Sequence, residues 1–154
     1  MKERWRLAGV LAGALFVVNI IARVVVRLAA GKDDGKQVWI GLIELIAVGL
    51  LMVFAGTWWV RRFPMPRVFG DLGLASLAAA LLSSLVGPFI SRGKPFDGGF
   101  GYVFTQVVYY LAFCGLGALF GALAIMMAGQ DYKSQSWKRY AETIMSRPRR
   151  AVRR

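Results

Sequence analysis

The sequence predicts an all-α polytopic membrane protein: four transmembrane helices in an up-down-up-down bundle with both termini on the cytoplasmic side. Three observations lead there. The chain is 57% hydrophobic and only 18% charged, with a mean hydropathy of +0.53, which is too apolar for an ordinary soluble domain. Four apolar runs each approach the roughly 20 residues that cross about 30 Å of hydrocarbon as helix. Basic residues, in turn, gather on one side of the four-span arrangement.

The spans are expected at about 7–28, 38–60, 68–90 and 102–128, so that 1–129 form a membrane domain and 130–154 a basic amphipathic tail. Span one follows "MKERWR", a basic start of the kind that opens secretory signals. Arg23 and Arg27, however, separate its apolar run from the small-residue stretch "AAG", which suits cleavage poorly, so the span is read as retained. Span two runs between "GKDDGKQ" and "RRFPMPR". Span three opens with Asp71, four residues after Arg67, and carries Pro88 near its far end, where the ring bends or stops a helix. Span four follows "SRGKPFDGG", whose G-K and D-G pattern echoes the first outer loop, aligning Asp34 with Asp97. Gly, Lys and Asp are ordinary turn residues, so the echo is read as coincidence rather than duplication.

Orientation comes from charge. Of a formal net charge of +12, Lys2, Arg4, Arg6, Arg61, Arg62, Arg67 and the basic residues beyond Gly129 fall on one side. Lys32, Lys36, Arg92 and Lys94 on the other are nearly balanced by Asp33, Asp34 and Asp97. The richer side is expected to be cytoplasmic, and Trp5, Trp58 and Trp59 are expected to mark its interface, with Trp39 and Tyr102 marking the other. A bacterial plasma membrane is the expected location.

In lipid, helices gain little from apolar burial against one another, so close backbone approach and interhelical hydrogen bonds must hold them. Gly9 and Gly13 form a GxxxG pair in span one, Gly117 and Gly121 another in span four, and Ser76, Ala80 and Ser84 make a small-residue stripe in span three. Gly56 is expected to meet span one at the depth of Gly9 and Gly13.

Ionisable groups inside spans are costly and need partners. Asn19, Arg23 and Arg27 recur every four residues on one stripe of span one, and Glu44 of span two stands at the depth of Arg23. An Arg23–Glu44 ion pair is therefore expected, with Arg27 reaching toward headgroups. Ser83, Ser84, Thr105, Gln106, Tyr109 and Tyr110 reach the same level. Together these residues either orient the helices or line a polar pocket.

The tail spaces Trp137, Tyr140, Ile144 and Met145 as one helical stripe, with Tyr132 out of step, among Lys138, Arg139, Arg147, Arg149, Arg150, Arg153 and Arg154. Anionic lipid at the inner leaflet is its expected partner, rather than nucleic acid.

The chain has no histidine and one cysteine, Cys114, read as an inert thiol at a helix contact. Haem, His-based zinc and dithiol chemistry lack their residues, and no cofactor or metal is expected. Glu44 and Asp71 lie toward opposite faces, so paired-acid chemistry is not expected either. The function expected is that of a non-enzymatic accessory or scaffolding subunit, in contact with a membrane protein partner or with further copies of itself. The alternative is a small transporter, channel or lipid-handling protein using Arg23 and Glu44.

Overall fold

The computed structural model describes residues 2–30, 33–90 and 99–145. Lys32, Arg92, Lys94 and Asp97, expected in the outer loops, and the tail residues Arg147, Arg149, Arg150, Arg153 and Arg154 lie outside that set. Among the described residues every regular element is a helix: α1 (Lys2–Val25), continued by a π-helical turn (Val26–Ala30), α2 (Asp34–Arg62), α3 (Met65–Ile90), α4 (Gly99–Met127) and α5 (Tyr132–Met145). Four helices are long and apolar enough to cross a membrane.

Helix ends are set by caps rather than by where apolarity stops. Asp33 caps α2, its carboxylate accepting from the Lys36 backbone N–H at 3.3 Å. Phe63 closes α2, its N–H donating to the Trp59 carbonyl at 2.8 Å. Pro64 then starts α3, its carbonyl accepting from Arg67 at 2.9 Å. At the end of α4, Gly129 takes a left-handed φ of 61°. Its N–H bonds Met126, while that of Gln130 bonds Ile125, the pair of contacts that ends many helices at a glycine. Asp131 at once caps α5 through the Ser134 N–H at 3.3 Å.

α2 packs most closely on α4, and α1 on α3. The α2–α4 seam is where backbones touch. A Cβ added to Gly117 would run into the Gly49 carbonyl, one on Gly121 into the Val53 carbonyl, and one on Gly56 would lie 2.7 Å from the Ala118 oxygen. Gly56 therefore meets span four, not span one. Gly9 and Gly13 are exposed and have open space beside them. The same small-residue spacing thus serves an internal contact in α4 and an uncovered face in α1, because spacing alone says only that close approach is available.

Leu15, Val48, Met52, Val60 and Cys114 are the most deeply buried large side chains. Ser76 and Ala80 of the span-three stripe are also buried, and Ser84 partly so. Ser76 Oγ donates to the Leu72 carbonyl at 2.8 Å and lies 3.9 Å from Met52 Sδ. Trp59 is buried rather than displayed at an interface, with its ring 4.8 Å from that of half-buried Trp58 in an edge-on contact. Trp5, Trp39 and Tyr102 are exposed.

The seam makes a paired prediction. Gly121→Ala must displace α2 backbone and is expected to cost about 1–3 kcal/mol. Gly13→Ala meets nothing and gains up to about 1 kcal/mol of helix propensity. Thermal unfolding of the two variants in detergent, followed by tryptophan fluorescence, checks the difference in sign.

Candidate functional site

Asn19 is 3% exposed and stands between the two charges. Its amide nitrogen donates to Glu44 Oε1, and its amide oxygen accepts from Arg23 Nε at 2.9 Å. Among the described residues no ion pair within 4 Å joins Arg23 to Glu44, so the expected direct pair is replaced by a relay through an amide. The amide suits this place because it is a donor and an acceptor at once, satisfying a cation on one side and an anion on the other.

The arginine stripe faces α3 rather than α2. A Cβ on Gly87 would overlap the Arg23 guanidinium, so the glycine provides the space in which that group lies. Arg27, in the wider π turn, donates to the Ile90 carbonyl at 3.4 Å instead of only reaching outward. Both cations sit at the carboxyl end of α3, where the last carbonyls lack intrahelical donors and the helix dipole is negative.

On the other side of Asn19 a cavity of about 330 Å³ opens between α2 and α4. Asn19, Glu44, Gln106, Tyr109 and Tyr110 line it, joined by Gly41, Leu45, Tyr102 and Thr105. Tyr110 is 5% exposed, and among the described residues its hydroxyl has no hydrogen-bond partner. Such a group costs on the order of 1–3 kcal/mol of desolvation unless something meets it. Among the described residues the wall holds one carboxylate and no cationic side chain.

Several residues expected here lie elsewhere. Ser83 and Ser84 do not line the cavity. Ser84 Oγ donates back to the Ala80 carbonyl at 2.8 Å, and Ser83 is buried with its hydroxyl unpartnered among the described residues. Arg23 is also absent from the wall, because it is turned to Gly87. Tyr102, Gly41 and Leu45 line the cavity without having been expected there from the sequence. The residue depth that counts inward from the loops does reach them, but nothing in the sequence says which way they face.

Asp71 is buried on the second turn of α3. Cys114 is buried against the α2–α3 contact, sharing a cavity wall with Ser76 and Met52. Among the described residues no three His, Cys, Asp or Glu side chains come together as a metal-binding group. No protein-family model, curated protein or solved structure matches this chain.

The relay predicts coupling between α1 and α3. Gly87→Val should destabilise the protein by about 1–3 kcal/mol through overlap with Arg23. In an Arg23→Leu background the same change should cost at least about 0.5 kcal/mol less. A double-mutant cycle on unfolding in mixed micelles measures it, and strict additivity would refute the contact.

Proposed function

We propose that this chain is a non-enzymatic accessory or scaffolding subunit of a bacterial plasma-membrane assembly, an up-down-up-down bundle with both termini cytoplasmic. Contact register supports the topology. Leu7, Val10, Leu11 and Ala14 of α1 share a cavity wall with Leu51, Phe54, Trp58 and Trp59 of α2, whereas Asn19 meets Glu44, so residue numbers run in opposite directions. Between α2 and α4 they rise together, from Gly49–Gly117 to Val53–Gly121. Between α1 and α3 they rise from Arg23–Gly87 to Arg27–Ile90. The positive-inside distribution supports the orientation.

The observation that carries the subunit reading is the uncovered Gly9–Gly13 face of α1, taken together with charges elsewhere in the helices that are already engaged with Asn19 and with the end of α3. A glycine pair open to the bilayer permits a second helix to approach backbone to backbone. Mild-detergent purification of the tagged chain from its native membrane is expected to bring a stoichiometric membrane partner. Gly9→Leu with Gly13→Leu is expected to release that partner while leaving the chain folded. A solitary species in both cases overturns the reading.

A second reading, a small transporter, channel or lipid-handling protein, is favoured by the cavity at Glu44. Its carboxylate, three tyrosines and unpartnered Tyr110 hydroxyl suit a small organic cation better than the anion that Arg23 would have suited. Calorimetry with tetraphenylphosphonium tests this. Glu44→Gln is expected to weaken binding by about tenfold or more, the loss of a charged contact, and no binding to the parent chain sinks it.

A further inference from the structure

A further cavity, of about 590 Å³, lies where the end of α2 meets one face of α5. Arg61, Arg62 and Phe63 line it from one side, and Tyr132, Gln135, Ser136 and Arg139 from the other. The α5 residues recur at i, i+3, i+4 and i+7, a single stripe of a helix with 3.6 residues per turn. Tyr132 is out of step with the Trp137, Tyr140 and Ile144 stripe because it belongs to this other face.

Three arginines line the cavity, and among the described residues no carboxylate does. The Arg62 guanidinium carbon lies 4.3 Å from the centroid of the Trp58 ring, a stacked position that limits its freedom before any ligand arrives. Like charges gathered without an acid repel one another, and an entering anion relieves that repulsion. A planar guanidinium fork matches phosphate oxygens two at a time, so the chemistry that fits is a phosphate rather than a simple halide.

The location selects the source. Arg61 and Arg62 form the last turn of a helix long and apolar enough to cross a membrane, so the cavity lies at the water-facing end of a span, where headgroups are. A lipid phosphate is tethered at that level by its acyl chains, which raises its local concentration above that of a free ion. We propose that this cavity binds the phosphate of an anionic phospholipid headgroup. The site is independent of whether the chain acts as a subunit or a transporter.

Native mass spectrometry of the delipidated full chain, titrated with phosphatidylglycerol or phosphatidylcholine, tests it. Phosphatidylglycerol is expected to bind more tightly than phosphatidylcholine. Arg61→Gln and Arg139→Gln should each weaken it about fivefold. Lys133→Gln removes the same charge from the same helix outside the cavity, and should leave binding unchanged. Unaltered thermal unfolding of each variant shows that the helices persist, since both mutated arginines are exposed. Equal weakening by Lys133→Gln and Arg139→Gln would mean diffuse charge attraction and overturn the site. So would equal affinity for the two lipids, or stabilisation by millimolar inorganic phosphate that added lipid does not exceed.

Discussion

The close approach of α2 and α4 backbones at Gly117 and Gly121 is the contact on which the rest of the bundle depends. In a bilayer the surrounding lipid is as apolar as any leucine, so side-chain burial alone gives two helices little reason to touch. Removing both Cβ atoms brings carbonyl edges within dispersion range, and that gain has no counterpart in lipid. With the seam closed along the middle of α2, its two ends are committed. One end offers Glu44 to the space beneath Tyr110, and the other offers Arg61 and Arg62 to α5.

The second organising element is the amide of Asn19. A direct ion pair would place two full charges in contact and require both to be desolvated along the same line, a cost that Coulomb attraction often fails to recover. The amide separates them by one hydrogen-bonded group and lets each keep a further environment of its own. Arg23 then lies against the carboxyl end of α3, and Glu44 borders a cavity. One side chain of α1 in this way ties together elements that the seam does not hold.

Apolar run length made the four long helices legible, because the requirement to satisfy every backbone group in lipid leaves a run of that length few alternatives to helix. Their ends were less legible. α3 starts at Met65 and α4 at Gly99, ahead of the expected spans; at α3 it is Pro64 and the bonds to its carbonyl, rather than hydropathy, that set where winding begins. Counting inward from the loops brought Asn19, Glu44, Gln106 and Tyr109 to one level, and all four line the cavity. Counting also brought Ser83 and Arg23 there, and both face elsewhere. Depth is a sum of 1.5 Å rises and survives in the sequence, whereas facing depends on which neighbour each helix chooses. Glycine spacings present in several spans do not encode that choice.

Gly129 has a consequence for α5 that reaches beyond helix termination. Only Ala128 to Asp131 separate α4 from α5, and hydrogen bonds to Met126, Ile125 and the Ser134 amide occupy that stretch. The two helices are therefore geared: the rotational phase of one is transmitted to the other through a short, fully bonded joint. One residue inserted just inside the start of α5 would turn the residues that follow by about 100° about its axis. Gln135, Ser136 and Arg139 would then swing away from the arginines of α2 together. The linker acts as an angular key, and its length carries as much information about the cavity between α2 and α5 as the residues that line it.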